Sequence, residues 1–182
     1  MAIFEKTVSQ LKAVFPDLQI HIQIEPMQDI GWYRRLKNAG TDTIGIHLEI
    51  LDDEIRKEIC PGKSKISKEI YFHHWKEAIN VFDQNQVSSF IITGFEPDLD
   101  RFLHELEKVI KIGVVPLITP VRIIPGTNLG DHYTHPDDFF KIVDFAAKKC
   151  LQYGVNPLKH KAGCIRCGGC SPLLDAYRYL TA

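Results

Sequence analysis

Apolar residues along this chain repeat with two spacings, one typical of amphipathic helices and one typical of half-buried strands. Residues 2–14 have the helical spacing, and residues 18–24 alternate apolar and polar with a period of two. The same succession continues to residue 152. It predicts further strands over 43–48, 87–93 and 114–119, and further helices over 29–38, 51–59, 67–84, 98–111 and 136–152.

This alternation of strands and helices predicts the α/β fold class. Short loops join the elements, so the four βα units should form a parallel sheet with right-handed crossovers. Four strands do not close a barrel, so either the sheet is open or part of a barrel is absent from this chain. We divide the chain into residues 1–155, which hold the βα units, and a tail over 156–182 that is loop-like around its cysteines and then weakly helical.

Composition and charge narrow the class of protein. The 182 residues are 45% hydrophobic and 25% charged, with a formal net charge of −1. These values are typical of a soluble globular domain and leave no basic surface for nucleic acid. No apolar run reaches the ~18 residues of a membrane span, and the first residues contain no signal-peptide core. We therefore expect a cytoplasmic location.

Polar residues follow each of the four predicted strands. In parallel α/β sheets ligands bind at the carboxyl ends of the strands, so these residues should form a pocket for a small-molecule substrate. His47 and Glu49 are the strongest pair, because residues two apart on a strand face the same side and need a partner when buried. The other residues at strand ends are Glu25, Pro26, Gln28, Thr93, Gly94, Phe95, Glu96, Thr119, Arg122, Pro125, Gly126 and Thr127.

Several other side chains are assigned simpler roles. Trp32 and Trp75 are expected in the core. His73 and His74 are neighbours on a predicted helix, where successive side chains diverge by about 100°, so we expect them at the surface or between helices. Lys63 follows a glycine in a predicted turn and is placed to reach an anion.

Three of the five cysteines lie within one short run, Cys164-Ile-Arg-Cys167-Gly-Gly-Cys170, which argues for metal ligation rather than disulfides. The glycines around them permit the tight turns that bring three thiolates onto one metal or cluster. The spacing favours an iron–sulfur cluster whose fourth position is open or filled from elsewhere. The alternative is a structural zinc ion. Its fourth ligand would come from Cys60, Cys150 or His160.

Several segments resemble biotin synthase-like radical S-adenosylmethionine (SAM) proteins. Residues 62–82 (GKSKISKEIYFHHWKEAINVF) and 87–94 (VSSFIITG) carry the first part of this resemblance. Residues 112–127 (IGVVPLITPVRIIPGT) look like a late barrel strand of that family with its loop. The segment 163–170 (GCIRCGGC) is similar to an auxiliary cysteine motif that ends some members.

The resemblance implies a partial TIM-type barrel, of which this chain carries what look like strands three to six. It implies that Glu49, and less directly His47, lies near the ribose or amino group of SAM. Gly94 with Glu96 resembles the family's glycine–acid turn, in which Phe95 and Pro97 alter the usual glycine-rich sequence. The residues it assigns to cofactor binding are His47, Glu49, Gly94, Glu96 and Arg122. Those it assigns to an auxiliary 4Fe–4S iron–sulfur cluster are Cys164, Cys167 and Cys170.

Two segments of that family do not occur in this sequence. One is the Cys-x3-Cys-x2-Cys loop that holds the SAM-binding cluster, and the other is the glycine-rich segment that grips the methionine end of SAM. In the family a reduced cluster cleaves SAM to a 5′-deoxyadenosyl radical, so we expect that this chain alone cannot cleave SAM. We expect a truncated product of a longer gene or, as the less simple account, a partner chain that supplies the missing N-terminal strands.

Two further classes of protein fit the sequence. One is a non-catalytic iron–sulfur or zinc module, in which the α/β part only supports the tail. The other is an unrelated α/β metabolic enzyme that uses Glu49 and His47 as acid–base groups and holds a structural metal in its tail.

Overall fold

The sheet consists of four parallel strands in the order in which they occur in the chain. A computed structural model describes residues 1–127, 129–130 and 132–182. The strands are β1 (His21–Gln23), β2 (Thr43–Gly45), β3 (Val87–Thr93) and β4 (Val115–Pro120). The predicted α/β class and the parallel sheet are therefore confirmed.

Helices alternate with these strands, as the apolar spacing predicts. They are α1 (Ala2–Val14), α2 (Gly31–Ala39), α3 (Asp53–Ile59), α4 (Lys68–Phe82), α5 (Leu99–Ile112), α6 (Pro136–Gln152), α7 (Gly163–Cys167) and α8 (Leu173–Thr181). Short 3-10 turns occur at Lys63–Lys65 and Pro157–Lys159. Within the described residues, none of these helices combines the length and the apolar character needed to cross a membrane.

The helix ends follow local signals that the sequence contains. Asp98 precedes α5, and its carboxylate accepts a hydrogen bond from the backbone N–H of Arg101 at 3.1 Å. Gly113 ends the same helix with φ of 107°, a left-handed conformation that glycine adopts without a Cβ clash. Pro136 begins α6 at the position where its missing N–H costs nothing.

Strands β1 and β2 are shorter than predicted because side chains replace backbone partners beside them. The Asp42 carboxylate accepts the N–H of Ile20 at 2.8 Å, just before β1. After β2, the imidazole Nδ1 of His47 accepts the N–H of Phe90 at 3.0 Å. Backbone pairing with β3 resumes only at Glu49, whose N–H donates to the Phe90 carbonyl at 3.0 Å. The predicted strands over 18–24 and 43–48 are therefore too long.

The core lies between the sheet and the helices packed on it. Trp75 is fully buried there, and its indole N–H donates to the Ile46 carbonyl at 2.9 Å. The core position expected for Trp32 is wrong, because this ring is only half-buried and lies under the Arg35 guanidinium at 3.8 Å. His74 is buried between α2 and α4, where its Nδ1 lies 2.7 Å from the Tyr33 hydroxyl.

The conformation predicted around the cysteines is wrong in part. Residues Gly163–Cys167 form the short helix α7, and the chain then turns at Gly168, which has φ of 71°. The backbone N–H of Gly168 donates to the Cys164 carbonyl at 2.9 Å and closes the helix. The predicted terminal helix is present as α8, which packs against α6.

The tail is anchored at the amino ends of the strands. Gln86, just before β3, donates from its amide to the Lys159 carbonyl at 3.0 Å. The ring N–H of His160 donates to the Asn85 carbonyl at 2.6 Å. From there the tail reaches Cys170, which borders a cavity beside the last residues of β4. The tail therefore extends over the length of the strands and brings one cysteine to their carboxyl ends.

Candidate functional site

A lysine and two glutamates form an ion-paired cluster at the carboxyl ends of β1 and β2. The Lys63 ammonium lies 2.7 Å from a carboxylate oxygen of Glu49 and 3.0 Å from one of Glu25. It also donates to the His47 carbonyl at 3.1 Å. The anions predicted to be within reach of Lys63 are therefore side chains of the protein itself, and they follow two neighbouring strands.

The surroundings of this cluster keep its cation charged. Burial by itself would lower the pKa of Lys63, but the hydrogen bonds that its ammonium donates to Glu49 and Glu25 raise the pKa above its ordinary value. The Tyr71 hydroxyl donates to Glu25 at 2.7 Å. Burial, followed by that hydrogen bond, raises the pKa of Tyr71, so its proton stays in place. The cluster is a fixed arrangement of one cation and two anions.

Glu49 adopts a backbone conformation that is uncommon for a residue with a side chain. Its φ is 69°, in the left-handed region. Hydrogen bonds on both sides, from its N–H to Phe90 and to its carbonyl from Ile92 at 2.8 Å, hold it against β3. Residues in such conformations persist where the surrounding structure fixes them, and they cluster at ligand sites. Its conformation therefore keeps Glu49 a candidate binding residue.

His47 occupies the sheet rather than an open pocket. Its ring lies edge-on to Phe90, with 4.8 Å between ring centroids, and its Nε2 has no hydrogen-bond partner among the described residues. Burial, together with smaller contributions from Lys63 and His21, lowers the pKa of His47 to about 3. Because β2 ends before His47, the strand geometry that predicts a shared face with Glu49 does not extend to this pair.

Gly94 and Glu96 form a turn at the end of β3. The Glu96 carboxylate accepts the backbone N–H groups of Gly94 at 2.6 Å and Phe95 at 2.8 Å. Gly94 has φ of 104°, and a Cβ there would lie 2.6 Å from a methyl group of Val121. Only glycine fits this position, and the carboxylate of Glu96 is already engaged within the turn.

A cavity of about 460 Å³ lies at the carboxyl ends of β3 and β4. Its walls are mostly apolar and include the rings of Phe90 and Phe95. Arg122 lies at its edge, and two cysteines from distant parts of the chain, Cys60 and Cys170, also line it. The cavity therefore joins the strand ends, where ligands of parallel α/β sheets bind, to the cysteine run of the tail.

The three tail cysteines lie near one another, and their exposure differs. Cys164 is half-buried, whereas Cys167 and Cys170 are exposed. Burial raises the pKa of the Cys164 thiol, and the thiols of Cys170 and Cys167 raise it further. Soft thiolate ligands suit iron–sulfur clusters and zinc, so the chemistry of these donors fits such a group. Within the described part of the chain, no three His, Cys, Asp or Glu side chains are already arranged around a metal position.

The three candidates for a fourth ligand differ in access. Cys150 is fully buried, and burial raises the pKa of its thiol to about 12. His160 is 1% exposed and donates to Asn85. Cys60 lines the same cavity as Cys170, and its thiol lies 3.9 Å from Glu49. Of the three, Cys60 is the one that shares a cavity with a cysteine of the run.

Sequence reasoning missed the ion-paired cluster, and it included Cys60 among three candidates for a fourth ligand without showing that Cys60 shares a cavity with Cys170. Lys63 and Glu25 are far apart in the chain, as are Cys60 and Cys170, so no local spacing relates them. The available signal was the rule that strand ends converge, which selects Glu25 and Glu49 but not the turn that carries Lys63.

Comparisons with known proteins were made at both the sequence and the fold level. No family model matches the chain. It is 28% identical over 118 residues to bacteriochlorophyllide c C-7(1)-hydroxylase of Chlorobaculum limnaeum, covering 64% of this chain and 29% of that protein. It is 30% identical over 142 residues to 5-amino-6-(D-ribitylamino)uracil–L-tyrosine 4-hydroxyphenyl transferase 2 of Methanosarcina barkeri, covering 66% and 34%. The chain thus spans about a third of the length of these relatives.

The fold is similar to that of a solved radical SAM enzyme. Coproporphyrinogen III oxidase (HemN) of Escherichia coli, described as a radical SAM enzyme, aligns with a TM-score of 0.62 at 13% sequence identity. The alignment covers 82% of this chain and 37% of HemN. The parallel α/β fold is therefore one found in radical SAM enzymes.

Proposed function

We propose that this chain is the C-terminal part of a radical SAM enzyme of the biotin synthase-like type, acting in the cytoplasm on a small-molecule substrate. The observation that carries this proposal is the fold likeness to HemN over 82% of the chain. The order of the four parallel strands agrees with consecutive strands of such a partial barrel. The relatives and the fold do not favour a non-catalytic metal module.

Within that proposal, Glu49 and the turn formed by Gly94 and Glu96 bind SAM. A carboxylate held by Lys63 is suited to accept hydrogen bonds from the ribose or amino group of the cofactor. The Lys63 ammonium fixes this carboxylate in one orientation, and Tyr71 fixes Glu25 beside it. Buried His47 contributes by holding the Phe90 backbone, so its part is positioning.

The tail cysteines hold the auxiliary iron–sulfur cluster in this proposal. Cys164, Cys167 and Cys170 would be its ligands, and Cys60 is the candidate for a fourth. A bound cluster of this kind would supply electron transfer or a Lewis-acid position beside the cavity. The chain's own residues would shape that cavity and limit access of water to it.

The cluster that cleaves SAM does not fit any residues of this chain. The five cysteines of the chain contain no Cys-x3-Cys-x2-Cys spacing, so they do not match the ligand set of the cluster that cleaves SAM. The strands that carry this spacing in the family would adjoin β1, which among the described residues pairs with β2 alone. The exposed apolar side chains of α1, which are Ile3, Phe4, Leu11 and Val14, support an element that covers this helix. The ring of Phe15, directly after the helix, is exposed as well.

Equilibrium dialysis with SAM under anaerobic conditions tests the proposed cofactor site. We expect measurable binding that weakens about tenfold in Glu49→Gln, since an engaged charged acceptor contributes roughly 1.5–3 kcal/mol. Glu54→Gln is the control, because Glu54 is paired with Lys57 on the exposed face of α3. Equal binding by both variants would count against the assignment.

After anaerobic treatment with iron and sulfide, 5′-deoxyadenosine above background would contradict the expectation that this chain alone cannot cleave SAM.

A further inference from the structure

The shape and charge of the residues that line the cavity at the carboxyl ends of β3 and β4 indicate the kind of ligand that it binds. We propose that it binds a small molecule with a flat apolar body and a carboxylate, and that Arg122 pairs with that carboxylate. This proposal rests on the proposed function and names the substrate class of the same site. It assigns Arg122 to the substrate, whereas the resemblance alone implies a place near the cofactor.

Two aromatic rings give the cavity its preference for a flat body. Phe90 is held edge-to-face by His47, with an interplanar angle of 88°. Phe95 is 7% exposed and lies 4.8 Å, between ring centroids, from His132. Because a neighbouring ring holds each of these two phenylalanine rings in place, they present apolar surface to a ligand. They therefore lose little conformational freedom when the ligand binds. The cavity volume of about 460 Å³ lies within the range of small-molecule sites, which is roughly 300–1,000 Å³.

The charge of the lining selects an anion. Among the described residues that line the cavity, Arg122 carries a permanent charge and none is acidic. A guanidinium binds a carboxylate through two parallel hydrogen bonds that join opposite charges. A ligand with a neutral amide in place of the carboxylate lacks this charge attraction. Arg122 is exposed, so the side chain is free to turn toward a ligand at the cavity edge.

The position of Arg122 separates it from the proposed cofactor residues. Glu49 follows β2 and Arg122 follows β4, two strands away, which corresponds to about 10 Å across a sheet. The Lys63 ammonium is already paired with both Glu49 and Glu25, so that cluster offers no free cation to an anionic ligand. A carboxylate ligand in the cavity therefore meets Arg122 as its cation, with Cys170 on the same cavity wall.

A matched pair of probes tests this assignment. We would measure the binding of 1-naphthaleneacetate and of the neutral 1-naphthaleneacetamide to the full chain by isothermal titration calorimetry at low salt. The two molecules share one fused-ring body and differ in charge. We expect the acetate to bind about five- to tenfold more tightly. This factor is smaller than a buried charge-assisted hydrogen bond would give, because solvent screens the exposed Arg122.

Three variants separate the charge from the apolar walls. Arg122→Gln should remove the preference for the acetate, and Phe95→Leu should weaken both probes by a similar factor, about threefold. Arg34→Gln removes an exposed arginine on α2, away from the cavity, and should change neither. Circular dichroism of each variant shows whether it is folded.

Several results would overturn the proposal. They are equal affinity of the wild type for the two probes, no binding of either at ~10 mM, or the same loss in Arg34→Gln as in Arg122→Gln. The probes contain neither SAM nor iron, so their binding can be measured whether or not the chain binds SAM. Anion preference without SAM binding would refute the proposed function alone, and SAM binding without anion preference would refute this inference alone.

Discussion

Acid should weaken the attachment of the tail to the sheet, because the histidine that anchors it is buried in its neutral form. Burial lowers the pKa of His160 to about 4, while its hydrogen bond to Asn85 opposes this effect and His21 adds to it. In the unfolded chain the pKa returns to about 6.5. The unfolded state therefore binds more protons between pH 6.5 and 4, and stability falls as the pH falls through this window.

The size of the effect follows from these two pKa values. At pH 5 they correspond to a loss of about 2 kcal/mol of unfolding free energy from His160 alone, relative to neutral pH. Two other histidines are also at least partly buried, His21 in β1 and His47 just after β2. Their pKa values are lowered to about 4 and about 3, mainly by burial. Their losses have the same sign, so the His160 contribution must be isolated by substitution.

His160→Asn isolates it, because the amide nitrogen of Asn can still donate to the Asn85 carbonyl but does not titrate. Urea unfolding at pH 7 and pH 5, followed by the fluorescence of Trp32 and Trp75, gives the free energies. We expect the wild type to lose about 2 kcal/mol more than His160→Asn over this pH change. His104→Asn, at an exposed position on α5, should behave as the wild type. The same loss in all three proteins would refute the reasoning.

Two further substitutions test the site. Lys63→Met leaves the two glutamates without their shared cation and should lower the unfolding free energy, measured in urea, by about 1–2 kcal/mol. Lys57→Met is the control, because it breaks an exposed ion pair and should lower the unfolding free energy by less than about 0.5 kcal/mol. Equal losses in the two variants would contradict a stabilising role for the cluster. Gly94→Ala should cost about 2 kcal/mol or more in thermal unfolding, because the φ of 104° and the contact with Val121 both oppose a Cβ. Gly126→Ala, where φ is 88° but a Cβ would meet nothing within 4 Å, should cost about 1 kcal/mol from the backbone alone, and an equal shift in melting temperature would show that packing at Gly94 is unimportant.

Local patterns in the sequence were sufficient for much of the fold. The apolar run over 87–93 gives β3 at its observed bounds, and Pro136 marks the beginning of α6. In both cases residues close in the chain determine the structure: a run of buried apolar positions, or a proline that suits a first turn. The order of the strands follows from the succession of βα units.

Contacts between distant residues were not predictable in this way. The shortening of β2 depends on the His47 ring, which takes the place of a backbone carbonyl opposite Phe90. Lys63 meets Glu25 only because β1 and β2 are adjacent. The approach of Cys170 to the cavity depends on the path of the whole tail, from Asn85 to the end of β4. The polar residues at strand ends were found by a topological rule, but their pairing required the structure.

The iron and sulfide content of the anaerobically reconstituted protein tests the central claim most directly. The account predicts about four iron atoms per chain with broad absorbance at about 400 nm. It also predicts that both are lost when Cys164, Cys167 and Cys170 are changed together to Ser, and that both are retained in Cys150→Ser, at a buried cysteine away from the cavity. Zinc in place of iron, or iron retained by the triple variant, would contradict it.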